Sequence, residues 1–400
     1  MNGILSHLTL VEGSAFVAAP LAGMSLAQLG ATVIRFDPIE GGIDYRRWPV
    51  TAAGHSIYWA GLNKGKKSIA LDLRRAEGQE LAQELIARVG RFVTNFPARG
   101  WLGYEKLKES RPDLVMVAIL GNPDGSTALD YTVHSASGFA YSAGPADHEG
   151  PINQAVPAWD LTTGLQAAIA LLAAENHRER TGQGQLAKIA LSDVAFATLG
   201  HLGYIGEVLV NREQRPRLGN EVYGAFGKDF VSRDGKRFMV VTISKKQWTN
   251  LCDATGLGEA CARIEAAAGL DFGHEGDRYA VRDQLYPLFD AWFRQYNFAS
   301  IRATLESHDV CWGAYQTFQE CIEQDPRIND NPMFAKVAQP GIGEYPVPAS
   351  PIDFSVSGRL PPVAAPSLGQ DTEEMLSKYL GLSQAELGRL HDLRIIRCAD

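Results

Sequence analysis

Cysteine is scarce in this chain and shows no pattern. The five residues, Cys252, Cys261, Cys311, Cys321 and Cys398, are odd in number and contain no CxxC pair. That argues against a disulfide framework and for a reduced, cytoplasmic setting. Cys252 and Cys261 lie nine positions apart with no histidine at ligand spacing, which disfavours a zinc site. Long apolar runs are also missing. The opening residues, Met1-Asn2-Gly3-Ile4-Leu5-Ser6-His7, have neither a basic stretch nor an apolar core, so they resemble neither a signal peptide nor a membrane anchor. Positive charge is outweighed, with 38 Lys and Arg against 46 Asp and Glu and a net charge of -8. A general nucleic-acid binder needs the opposite balance, because its affinity rests on cations facing phosphates.

Several motifs are absent as well. No GxGxxG follows the first apolar run, and no GxxxxGK[ST] loop occurs, which disfavours nicotinamide dehydrogenases and P-loop enzymes. The nine histidines form no HExxH and no cluster with cysteine, so no metal site is expected. His134 and His201 read as core or surface polar residues. Ser14 and Ser137 lack the GxSxG setting of an esterase nucleophile.

What remains is an alternation. Leu8–Val11, Thr32–Phe36, Ser68–Leu73, Arg91–Phe96 and Leu114–Leu120 read as strands, with helical patterns at Ala18–Leu29 and Glu77–Arg88. This spacing predicts an α/β fold, a mostly parallel sheet flanked by helices, with ligands bound beyond the carboxyl ends of the strands. Further on, Leu161–Arg178 reads as a helix, Gln185–Leu191 as a strand and Ser192–Val210 as a long helix. Arg212–Gly219 suggests a hinge. Asp234-Gly235 predicts a hairpin inside Val222–Val241. Asp277–Tyr296 and Asp371–Leu380 read as helices, and Pro332–Pro366 as an extended stretch. At 400 residues the chain suffices for two or three units.

Asp160 stands before the long Ala/Leu-rich helix, in Pro157-Ala158-Trp159-Asp160-Leu161. Aspartate there often caps the helix. A carboxylate at that place can also attack an acyl thioester to give a mixed anhydride, with helix amides nearby to steady negative charge. Asn63-Lys64-Gly65-Lys66-Lys67-Ser68 and Arg74-Arg75 read either as solvated loops or as partners for the phosphates of a nucleotide-like ligand. In Asp44-Tyr45-Arg46-Arg47-Trp48, an arginine beside aromatic residues is placed to clamp a carboxylate or to form a surface pair.

Taken together, these segments resemble the class III coenzyme A transferases, a family that includes formyl-CoA and carnitine CoA-transferases. The carriers are Leu26-Ala27-Gln28-Leu29-Gly30-Ala31-Thr32-Val33-Ile34-Arg35, the stretch 63–73, and Thr181-Gly182-Gln183-Gly184-Gln185, with Asp160 at the place of the family's catalytic aspartate. The resemblance implies a large Rossmann-like domain built from residues 1–210 and a returning segment 331–400, a smaller α+β domain over 222–330, and an interlocked homodimer. It implies coenzyme A contacts at Val17, Ala18, Arg35, Lys67, Leu71, Arg74, Asn95, Phe96, Arg99 and Tyr131, with coenzyme A carried as part of the substrate and no tightly bound cofactor. Arg47 is the candidate partner for a spare substrate carboxylate. The activity implied is coenzyme A transfer through an aspartyl intermediate, between the two carboxylates of one dicarboxylic acid. Three alternatives stay open: transfer between separate acids, α-methylacyl-CoA racemisation, and acyl-CoA binding without catalysis. Racemases of this fold place a base where Leu129 stands here.

Overall fold

The computed structural model describes residues 3–399. Its strands in chain order are β1 (Thr9–Gly13), β2 (Thr32–Pro38), β3 (Lys67–Leu71), β4 (Arg91–Thr94), β5 (Val115–Leu120) and β6 (Leu186–Ala190), then β7 (Phe226–Val231), β8 (Arg237–Thr242), β9 (Trp312–Ala314), β10 (Phe334–Gln339), β11 (Gly343–Pro348) and β12 (Ile396–Arg397). The chain divides into two units. One comprises residues Met1–Ser137, Asn153–Val210 and Pro326–Asp400, and the other Gly138–Ile152 and Asn211–Asp325.

The first unit carries a seven-stranded sheet in the order β12-β3-β2-β1-β4-β5-β6. β1 to β6 run parallel, and only β12, on the edge beside β3, is antiparallel. Strands buried on both faces need unbroken apolar sequence, which Val115–Leu120 supplies. The crossover helix from β3 to β4 is amphipathic. Ala76–Val89 buries Leu81, Ala82, Leu85, Ile86 and Val89 and ends at Gly90 in the left-handed conformation. The chain order reverses between β1 and β4, and a doubly wound sheet opens a crevice at such a point.

Two helices flank that point, Ala18–Gln28 after β1 and Ala158–Thr181 before β6. They meet through small residues: Ala18, Ala19 and Ala22 on one, Gly164, Ala167 and Ala168 on the other, all buried. A Cβ on Gly164 would lie 2.6 Å from the Ala18 carbonyl oxygen, so only glycine allows this approach. The close packing sets the two helices side by side.

The second unit holds the antiparallel β7-β8-β9 sheet with the Asp234-Gly235 hairpin, and a core rich in phenylalanine: Phe226, Phe230, Phe238, Phe289 and Phe293. Three local expectations change. The helix read over Ser192–Val210 stops at His201, because Gly203 takes a positive φ, and restarts as short turns. The helix read over Asp277–Tyr296 is two pieces, Glu275–Ala280 and Arg282–Phe293. The stretch read as extended over Pro332–Pro366 includes the β10–β11 hairpin, turned at Pro340-Gly341.

Candidate active site

A cavity of about 170 Å³ opens at the carboxyl ends of β1, β4 and β5, lined in part by Phe16, Ala18, Arg47, Asn95, Tyr131 and Asp160. It lies in the first unit, at the point where the strand order reverses. It is smaller than the roughly 300–1,000 Å³ of ordinary ligand pockets, a size for the acyl end of a thioester rather than for all of coenzyme A.

Asp160 is the third residue of its helix, and Pro157 holds the capping position without a side-chain bond. The cap comes from elsewhere in the chain. Asp130, on the short helix Asp130–Ala136, is 2% exposed and accepts through Oδ2 from the amides of Trp159 (2.8 Å) and Asp160 (3.0 Å). Its Oδ1 accepts from Gln154 Nε2 at 3.0 Å. Asp130 thus takes the helix N-terminus that Asp160 would otherwise occupy. The Asp160 carboxylate receives no hydrogen bond from the described residues and faces the cavity. Burial, reinforced by the Asp130 charge and opposed by Arg47, pushes its pKa from 3.8 up to about 6. A poorly solvated carboxylate with free lone pairs is equipped to act as a nucleophile or a base.

Arg47 leaves the short helical turn Ile43–Arg46 and is held on three sides. Its guanidinium lies 5.1 Å from the Phe16 ring centre and 4.8 Å from that of Tyr58, and Nη1 is 3.9 Å from Asp44 Oδ1. Arg47 also lines the cavity. The Tyr58 hydroxyl, on the helix Ile57–Leu62, is pushed up to about 12, first by burial, with the Arg47 charge opposing and those of Asp44 and Asp160 adding. It therefore stays protonated near Asp160.

The turn from β1 into its helix is pinned from below. Asn95 accepts from the Ala15 amide (2.9 Å) and donates to the Ala15 carbonyl (2.6 Å). Arg35 donates to the Ser14 carbonyl (2.8 Å) and hydroxyl (2.7 Å). Beneath lies a sealed charge cluster in which Arg35 meets Asp37 at 2.8 Å and Glu12 at 3.2 Å, while Lys66 meets Glu12 at 2.8 Å. All four are at most 4% exposed. Burial pulls the Lys66 ammonium down to about 8, with Glu12 holding it up. Gly23 faces this cluster, and a Cβ there would collide with Glu12 Oε2.

The sequence-read ligand residues separate into two groups. Val17, Ala18, Leu71, Arg74, Asn95, Phe96 and Arg99 all follow or end β1, β3 or β4 on the carboxyl edge of the sheet, and Tyr131 lies across the cavity. Of these, Ala18, Asn95 and Tyr131 line the cavity, Arg74 and Arg99 are exposed, and Val17, Leu71 and Phe96 pack inward. The Asn95 amide is occupied by Ala15, so it shapes the turn. Two residues are placed elsewhere. Arg35 is 1% exposed with its donors held by Asp37, Glu12 and Ser14, and it cannot reach a ligand. Lys67 opens β3 at the opposite edge and donates to Asp371 at 2.9 Å and Glu374 at 3.4 Å. Sequence reasoning missed Asp130 as the capping group and Tyr58 as a cavity neighbour. The only signal was Asp130 at a helix start, where aspartate is common. The racemase reading finds no support here, since Leu129 lines the cavity in place of a base and His134 is buried away from it.

A carboxylate without a hydrogen bond from the described residues and an anchored guanidinium thus line one cavity, at the crevice of a doubly wound sheet. The chain belongs to CoA-transferase family III, whose family model matches residues 5–372. It is 54% identical, across 100% of its length and 99% of the relative's, to the 2-methylfumaryl-CoA isomerase of Chloroflexus aurantiacus. It is 29% identical, over 94% of this chain and 96% of the relative's, to the succinyl-CoA:mesaconate CoA-transferase of Haloarcula hispanica. Among solved structures, a CAIB/BAIF family protein from Brucella suis matches with a TM-score of 0.77 and 27% identity, covering 95% of this chain and all of that one.

Proposed function

We propose that this enzyme converts mesaconyl-C1-CoA (2-methylfumaryl-CoA) into mesaconyl-C4-CoA by moving coenzyme A between the two carboxylates of one acid. The observation that carries this reading is the Asp160 carboxylate, free of hydrogen bonds and raised to about 6, in one cavity with Arg47. The 54% identity to a 2-methylfumaryl-CoA isomerase supports the choice of acyl group.

The steps follow from the residues. Ionised Asp160 attacks the C1 thioester carbonyl, the C–S bond breaks, and coenzyme A leaves as the thiolate. The thiolate then attacks the aspartyl carbon of the mixed anhydride. That anhydride bond breaks, leaving an aspartyl-CoA thioester and mesaconate with both carboxylates free. Mesaconate presents its C4 carboxylate to the aspartyl thioester, and the same two steps run in reverse. Arg47 holds whichever carboxylate is not reacting, through charge-assisted hydrogen bonds. An acid kept in place reacts far faster than one drawn from solution. Amides at the start of the Ala18 helix serve the developing oxyanion.

Coenzyme A would run along the carboxyl edge of the sheet, past Leu71, Arg74, Asn95, Phe96 and Arg99, with Val17, Ala18 and Tyr131 at the acyl end. It comes and goes with the substrate, and no tightly bound cofactor is needed. The protein acts as a cytoplasmic, interlocked homodimer. Support comes from apolar side chains left at least 43% exposed on the helices after Asp160: Leu165, Ile169, Phe196, Leu202, Leu209 and Val210. The test is product analysis with mesaconyl-C1-CoA and no added acceptor. Formation of the C4 isomer is expected. A requirement for a second acid would instead make the enzyme an intermolecular transferase.

A further inference from the structure

Phe16 adopts φ +67°, the left-handed region that residues with a Cβ avoid. Nothing in the β1 turn requires a bulky residue there, and glycine would meet the backbone demand without strain. The conformation is nevertheless held from several directions. The Phe16 amide donates to Asp44 Oδ2 at 2.7 Å, the preceding residue is clasped by Asn95, and Arg35 holds Ser14. Asp44 is 2% exposed, and its other oxygen is the one that approaches Arg47. One buried carboxylate thus ties the strained backbone to the guanidinium, and the ring delivered by that strain lies 5.1 Å from the same guanidinium. Strain maintained by so many contacts, at a cavity wall, marks a conformation kept for its effect on the site.

We infer that Phe16 is a positioning residue that holds Arg47 against Tyr58 and so sets how often the detached acid is returned to the same coenzyme A rather than lost to solution. This rests on the proposed isomerase reading. While mesaconate is detached, only its contacts within the cavity retain it, and Arg47 is the cation there. An Arg47 free to swing would release its carboxylate, and external acid would compete for the aspartyl thioester.

Phe16→Gly separates this from a packing role, because it removes the ring while suiting the backbone. Two rates are compared: isomerisation of mesaconyl-C1-CoA, and entry of labelled free mesaconate into the thioester pool. Phe16→Gly is expected to fold, to melt within a few degrees of the parent, and to raise the ratio of label entry to isomerisation about tenfold. Phe16→Tyr, which keeps a ring over Arg47, should restore the parent ratio. An unchanged ratio in folded Phe16→Gly, or failure of that variant to fold, overturns the inference and makes the ring a packing group. Absence of isomerisation in the parent protein would instead remove the functional reading beneath it.

Discussion

Two sets of charged residues lie on either side of the β1 turn and are treated in opposite ways. Below it, Glu12, Arg35, Asp37 and Lys66 are sealed from water, and each charge meets an opposite one within 3.2 Å. Above it, Asp130 and Asp160 are two carboxylates on adjoining helix starts, and the helix amides go to Asp130 alone. The lower set is satisfied and rigid, so it determines where the turn lies. The upper set leaves the Asp160 carboxylate without a hydrogen bond from the described residues, which suits the nucleophilic role proposed for it. The same side-chain chemistry gives structure where it is paired and a candidate nucleophile where pairing is withheld.

The contrast can be broken from below first. Arg35→Met leaves Glu12 and Asp37 buried without their shared cation, and should destabilise the protein by about 3–5 kcal/mol, read by chemical denaturation. A loss below about 1 kcal/mol would mean that the cluster is not the support described. From above, Arg47→Gln should lower kcat/KM about a hundredfold with little change in melting temperature, because it removes a cation facing the cavity rather than one in the core. Equal loss of stability and rate would place Arg47 with the lower set.

The third effect is smaller and depends on pH. The Asp160 carboxyl is held at about 6 in the folded protein against 3.8 ordinarily. The unfolded chain therefore gives up this proton first as pH rises. Stability contributed by the protonated group is complete below pH 3.8 and is lost as pH climbs through about 6. Asp160→Asn should then be more stable than the parent by up to about 2 kcal/mol at neutral pH, a gain that vanishes below the ordinary carboxyl value. The parent's kcat/KM should fall as pH drops through about 6, since only the ionised group attacks. A more stable parent at neutral pH would contradict this account of the site.

Much of the sheet was legible because parallel strands write themselves as short apolar runs between helical patterns. β1 to β6 each overlap a stretch identified from sequence. Breaks were less visible. Gly203 ends a helix through a positive φ, which composition does not reveal, and the β10–β11 hairpin hides in a Pro/Gly-rich stretch. At the site, Asp160 and Arg47 stood out through their chemistry and neighbours. Asp130 did not, because its part depends on meeting amides 29 and 30 positions away. Arg35 and Lys67 were expected as coenzyme A contacts because a sequence shows charge without showing the carboxylates that absorb it. Phe16 gave no signal, since its meaning lies in a backbone angle.

The most direct trial of the central claim is to quench turnover of mesaconyl-CoA with hydroxylamine and analyse the peptide that contains Asp160 by mass spectrometry. An aspartyl hydroxamate at Asp160, absent without substrate, is predicted. An unmodified Asp160 peptide, together with continued turnover by Asp160→Ala, would contradict it.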